Sequence, residues 1–198
     1  MQLLPSVVCL LALSLSTICA AFATSTVSAH NYTFKELEPR CGPQGSFRQP
    51  YFRFNVFFRK NANITDEQFH RHWQTVHADL TISEPDAGTR LLRYTQFHQD
   101  AHHRQLIQPL IAVADGLMEI APYDGVAEFL SRDYQTFEQF IMQIFGNPVL
   151  VADQQTFVAS GAMHVMAGYD SLIYGDAIDA ADGGDGILPG DERLVRSG

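Results

Sequence analysis

The sequence predicts an α+β fold built on a ferredoxin-like βαββαβ unit, on three observations. Four short segments alternate apolar with polar residues. Two longer ones carry apolar residues at helical spacing. The two kinds succeed one another as strand, helix, strand, strand, helix, strand. At 198 residues the chain holds one domain with room for an independent core.

The first strand is Tyr51 to Phe58. Phe52, Phe54, Val56 and Phe58 share one face, and Tyr51, Arg53, Asn55 and Phe57 the other. The first helix begins at Thr65, which caps the opening turn while Gln68 reaches back to it; Asp66 and Glu67 suit the positive helix end. Phe69, Trp73, Val76 and Leu80 follow at intervals of four, three and four, which draws one apolar stripe. His70 and His77 flank that stripe about two turns apart, whereas His72 points away into solvent. Glu84 to Gly88 is turn-rich. Leu91 to His98 is the second strand, with Leu92, Tyr94, Gln96 and His98 on one face, and Val126 to Leu130 is the third. Tyr134 to Phe145 is helical through Tyr134, Phe137, Ile141 and Ile144. Gly146-Asn147-Pro148 breaks it, Val149 to Phe157 adds a further helical segment, and Ala162 to Tyr169 is the last strand. Between strands two and three, Asp100 to Ile120 is long for this fold. Its apolar stretch Leu106 to Val113 reads either as a cover for a pocket mouth or as a short helix padding the sheet edge.

Helices on one side leave the other sheet face uncovered. A face bearing Asn55, Phe57, Tyr94 and Met166 calls for a partner, so a homodimer is expected in which a second copy covers it.

Composition narrows the function. Net charge is −9, from 13 basic and 22 acidic residues with no Lys/Arg cluster, which excludes nucleic acid as a partner. Residues 1–29 carry no charge and contain an apolar run from Val7 to Leu15, then small-residue sites at Ala21-Phe22-Ala23 and Val27-Ser28-Ala29. They read as a signal peptide that sends the protein to the secretory lumen or outside the cell. An uncleaved anchor is the rival reading and the one route to a membrane. Asn31-Tyr32-Thr33 and Asn63-Ile64-Thr65 make Asn31 and Asn63 candidate glycosylation sites. Without the leader Cys41 is the sole cysteine, a free thiol or an intermolecular bridge. Residues 30–49 then form an N-terminal extension, 50–172 the folded domain, and 173–198 an acidic Gly/Ala-rich disordered tail.

The stretch RKNANITDEQFHRHWQTVHADL, with Arg59 and Lys60 ending a strand, then Phe69, Trp73, His77, Ala78 and Leu80, resembles the signature of the EthD-domain family. The resemblance continues through RYTQFHQ (Arg93 to Gln99), YDGVAEF (Tyr123 to Phe129) and NPVLVADQQTFV (Asn147 to Val158). It implies that the unit pairs as a dimeric α/β barrel. It also implies a kinship with fungal EthD-type decarboxylases and dehydratases of aromatic polyketide pathways, and polar site positions at His77, Tyr94, Gln96, His98 and Glu128.

No serine-hydrolase elbow, P-loop or dinucleotide fingerprint occurs. His70, His72 and His77 lack the helical i, i+4 spacing of a zinc pair, and His98, which precedes His102 by four, ends a strand; no metal and no cofactor is expected. What remains is a cofactor-free acid/base pocket for a small aromatic or polyketide substrate. Dehydration of a β-hydroxy ketone needs a base for the α-proton, an acid for the departing hydroxyl and a donor for the enolate, and decarboxylation uses the same parts. His77 is the expected base and Tyr94 or His98 the acid or enolate donor. Glu128 either orients a histidine or pairs structurally with Arg93. Asn55, Phe57, Trp73 and Gln96 are the expected substrate-binding residues, beside Phe97. A cofactor-independent monooxygenase and a non-catalytic secreted binder are the alternatives. The mature protein is expected to begin between Ala21 and His30; amino-terminal sequencing tests this, and recovery of intact Met1 in membrane pellets refutes it.

Overall fold

A computed structural model describes residues 30–38, 48–161 and 163–194. The chain divides into two units, Met1–Gly45 and Ser46–Gly198. In the first, the described residues hold one 3-10 turn, Lys35–Leu37; the expected leader, its candidate cleavage sites and Cys41 lie outside the described residues.

In the second unit, alternating residues fold as four antiparallel strands: β1 (Phe52–Phe58), β2 (Arg93–His98), β3 (Gly125–Ser131) and β4 (His164–Gly168), in spatial order β2-β3-β1-β4. The register decides which side chains meet. Phe54 lies opposite Phe129, which lies opposite Tyr94. The next rows on the same face are Val56, Ala127 and Gln96, then Phe58, Gly125 and His98. The other face carries Asn55, Glu128 and Thr95, then Phe57, Val126 and Phe97, with Met166 beside Asn55 and His164 beside Phe57.

Helices cover the first of these faces. Thr65 and Gln68 make the reciprocal capping box, at 3.1 and 2.8 Å, that opens α1 (Asp66–His72). The helix continues through a π-helical turn (Trp73–His77) into α2 (Ala78–Ile82). A short α3 (Ala87–Arg90) leads into β2. The long connection that follows contains α4 (Ala101–Val113), started by Asp100 and without a buried residue. Asp133 caps α5 (Tyr134–Gly146). Asn147, with Pro148 in the first turn, caps α6 (Pro148–Phe157). The core between sheet and helices is aromatic: Phe58, Phe69, Trp73, Phe129, Phe137, Phe140 and Phe157 are all buried.

Trp73 sets the distance between helix and sheet. Its ring lies over the end of β3 at Gly125, where an added Cβ would stand 2.6 Å from the indole Cζ3 and 3.1 Å from Phe58 Cζ. Only glycine leaves that space. The ring also meets Phe58 edge-on at 4.8 Å and His98 at 4.4 Å.

Two expectations are corrected. The α+β class holds, with a four-stranded antiparallel sheet and helices, but the sheet is open. Among the described residues β2 and β4 are edge strands without a further neighbour, so it does not close into the α/β barrel expected with a second copy. The acidic segment after Tyr174, expected as a loose tail, folds back instead. Ala181 and Ile187 are buried, Tyr174 bridges to Ile187, and Ala181 with Ile178 packs on Tyr51, Leu92 and Leu130. Leu130 belongs to the face away from the helices, so this segment covers one end of the surface that barrel formation requires. Elsewhere on that face Phe97 and Met166 stay exposed.

Gly125→Ala is expected to destabilise the protein by about 1–3 kcal/mol, as overpacking of a filled core does. Trp73 is the only tryptophan, so urea unfolding followed by its fluorescence reads both the loss of stability and the displaced ring.

Candidate functional site

A cavity of about 110 Å³ lies between the helix-covered face and the helices, walled by Phe54, Phe58, Trp73, Phe129, Ile144 and Phe157. Few polar side chains reach it: His77 from the end of the π-helical turn, Thr81 from α2, Tyr94 from β2 and Gln154 from α6.

His77 is held from behind. Its Nδ1 lies 2.8 Å from Asp153 Oδ2 on α6, and the other carboxylate oxygen lies 2.8 Å from His72 Nε2. The buried Thr81 hydroxyl donates to the His77 carbonyl at 2.7 Å. Burial pushes the His77 imidazole below its ordinary value of 6.5, against the opposing pull of Asp153. The ring is therefore neutral near pH 7. With Nδ1–H donated to the carboxylate, Nε2 is the nitrogen that carries a lone pair.

Tyr94 stacks on Phe129 with centroids 4.8 Å apart and planes at 3°. Gln96 Nε2 donates to the Tyr94 hydroxyl at 2.7 Å and to the Trp73 carbonyl at 3.0 Å. Because the hydroxyl oxygen accepts from Gln96, its own proton is left to donate elsewhere. Burial raises the Tyr94 phenol above its ordinary 10.0, with the neighbouring Gln96, Trp73 and Thr81 side chains pulling the other way, so the phenol stays protonated. The Gln96 Oε1 accepts from His98 Nε2 at 3.2 Å, and His98 Nδ1 faces His70 Nδ1 at 2.8 Å. Burial, then the neighbouring His70, lowers the His98 imidazole. In the neutral pair, His98 keeps its proton on Nε2 for Gln96, so His70 Nδ1–H is the donor between the rings.

The residues singled out from sequence fall on two sides of the sheet. Trp73, His77, Tyr94, Gln96 and His98 come together on the helix-covered face. Asn55, Phe57, Phe97 and Glu128 lie on the other, so the expected grouping of Asn55 and Phe57 with Tyr94 is corrected. Glu128 is the hub of an ion network there: Arg53 pairs with it closely, Arg93 at 3.1 Å, and Arg53 also reaches Asp170 at 2.7 Å. The sheet lies between Glu128 and His77, so Glu128 does not orient that histidine; the carboxylate that does is Asp153. Asn55 accepts from Arg53 Nε at 3.4 Å, and Phe57 packs on Tyr123 at 5.3 Å. Asn31 and Asn63 are exposed.

Sequence reasoning missed Asp153, His70 and His72. The available signal for Asp153 was that α6, PVLVADQQTF, carries a single charged residue on an otherwise apolar and amide-bearing helix. Among the described residues no group of three or more His, Cys, Asp or Glu side chains is arranged to hold a metal ion.

No curated protein matches the chain. Among solved structures it is similar to an ethyl tert-butyl ether D (EthD) family protein from Bacillus halodurans C-125. The identity is 15% and the TM-score 0.40, over 61% of this chain and 98% of that one, a likeness too slight to carry a structural argument. The family model of the EthD domain matches residues 61–161, just over half of the 198 residues. That span includes His77, Tyr94, Gln96, His98 and Asp153, and on this match the chain belongs to the EthD family.

Proposed function

We propose that this EthD-family chain is a cofactor-free lyase, a dehydratase or decarboxylase that acts on an enolisable ring of a polyketide intermediate. The single observation that carries the reading is His77: a neutral imidazole lining an apolar cavity, its Nδ1 tied at 2.8 Å to a carboxylate, with a protonated tyrosine lining the same cavity. A histidine so oriented offers Nε2 as a general base, and Tyr94 offers its O–H either to a departing hydroxyl or to the oxygen of an enolate. In dehydration His77 takes the α-proton, the C–H electrons form the enol and then the double bond, and the hydroxyl leaves as water with the Tyr94 proton. In decarboxylation of an ortho-hydroxy acid, His77 Nε2 takes the hydroxyl proton and passes it to the ring carbon, the C–CO₂ electrons return to the ring as carbon dioxide leaves, and the resulting phenolate oxygen is held by Tyr94.

Cavity size limits what enters. An apolar cavity of ~150 Å³ takes a benzene-sized ring, so about 110 Å³ admits the edge of a ring, with the remainder of the substrate outside.

The test is incubation with a β-hydroxy ketone and with an ortho-hydroxy aromatic acid, followed by mass spectrometry. Loss of water or of carbon dioxide supports the lyase; gain of oxygen assigns a monooxygenase and overturns it. His77→Ala is expected to lower turnover by about 10²–10⁴-fold, and Tyr94→Phe to lower it while the ring stacking persists. The rate against pH should be flat across neutrality. It falls in acid as His77 gains its proton below the ordinary 6.5, and in alkali as Tyr94 loses its own above the ordinary 10.0. Full activity in both variants removes the assignment.

A further inference from the structure

His72 and His77 are five residues apart. In a helix of 3.6 residues per turn, five steps leave two side chains roughly 140° apart, too far to meet one small acceptor. Here the intervening turn is π-helical, with Ala78 N–H reaching the Trp73 carbonyl, and closure over five residues draws such a pair towards one face. Both rings end on Asp153, one on each oxygen, at 2.8 Å. Phe157 lies between them, its ring 5.3 Å from His72 and 4.8 Å from His77. The two histidines look into different spaces. His77 lines the cavity, whereas His72 lines an outer depression of about 350 Å³ with Gln68, Arg71, Thr75 and Thr156. The shared carboxylate is almost enclosed, with 11% of its side chain exposed against 30% for His72.

We propose that His72 is a positioning residue for His77, acting through the carboxylate both share to set how strongly the cavity imidazole holds a proton. Its consequence for turnover rests on the base role proposed for His77; the coupling itself does not. The charged and titratable groups around His72 are Asp153 from α6, His77 from the end of the π-helical turn that follows it, and Arg71 at the rim of the outer depression. When His72 is neutral its Nε2–H gives Asp153 one hydrogen bond, and the negative charge serves His77. When His72 is cationic it takes up that charge and repels a proton on His77 directly, so both effects weaken the cavity base. The repulsion between the two rings acts in this direction.

The experiment follows the ring Cε1–H signal of His77 by NMR through a pH titration of the full chain, in the parent, His72→Gln and His72→Arg proteins. Glutamine keeps a neutral donor for Asp153 and arginine fixes a permanent cation there, so the His77 midpoint should lie higher in His72→Gln than in His72→Arg, by on the order of one pH unit. Equal midpoints in the two variants, with Trp73 fluorescence matching the parent in both, overturn the proposal. Should both substitutions disturb the fold, the parent alone decides: a coupled His77 signal moves in two steps, one of them at the midpoint of His72, and a single independent step overturns the coupling. Failure of the lyase reading shows separately, as full turnover in His77→Ala, and leaves shifted midpoints standing.

Discussion

The π-helical turn from Trp73 to His77 is the constraint on which the rest of the site depends. Its wider closure changes where the side chains on either side of it point. Trp73, at its start, is driven onto Gly125 and fixes the helix at the sheet; His77, at its end, is brought over the cavity and back against α6. An interruption of regular helical bonding asks for compensation, because a buried backbone carbonyl left short of donors costs about 1–3 kcal/mol. The Trp73 carbonyl receives two donors, Ala78 N–H and the Gln96 side chain. Gln96 therefore serves the helix and the site together. The donor that steadies the turn also occupies the Tyr94 oxygen.

The polar residues of the covered face form two short networks around an aromatic core. One runs from His70 through His98 and Gln96 to Tyr94; the other joins His72, Asp153 and His77. Each passes from a half-exposed histidine to a group lining the cavity. Buried polar groups persist only where hydrogen bonds offset their desolvation, and here those bonds also fix tautomers, so that each ring nitrogen has an assigned role. Burial in an apolar wall acts oppositely on the two groups that face the cavity. It disfavours the imidazolium of His77 and the phenolate of Tyr94, and leaves a base and an acid both in their neutral forms at the same pH.

The opposite face is organised by charge. Arg53 and Arg93 share Glu128, and Asp170 takes Arg53 together with the Tyr51 hydroxyl at 2.8 Å; burial, then that bond, pushes the Tyr51 phenol up to about 12. These pairs surround Leu130, on which the C-terminal segment packs. Composition suggested that the segment is solvated, since its aspartates stand among glycine and alanine. Ile178 and Ala181 fold it back because the sheet end offers a surface for them, and Ile187 is buried where the segment bridges to Tyr174.

The strands, the capping box, the apolar stripe and the break at Asn147-Pro148 were legible in the sequence, because each is set by residues within a turn or two of one another and by side-chain period alone. So were the shared strand face of Tyr94, Gln96 and His98, which alternation sets, and the place of His77 beside the helical stripe. Two things were decided only by the tertiary structure. The first is which strand faces agree: a shift of one residue in pairing exchanges the faces, and that register put Asn55, Phe57 and Glu128 on the far side of the sheet from Tyr94. The second is the carboxylate behind His77. A period of 3.6 sends His72 into solvent and says nothing of Asp153, more than seventy positions further along the chain. The wider π-helical turn, and the packing of α6 against it, bring all three together.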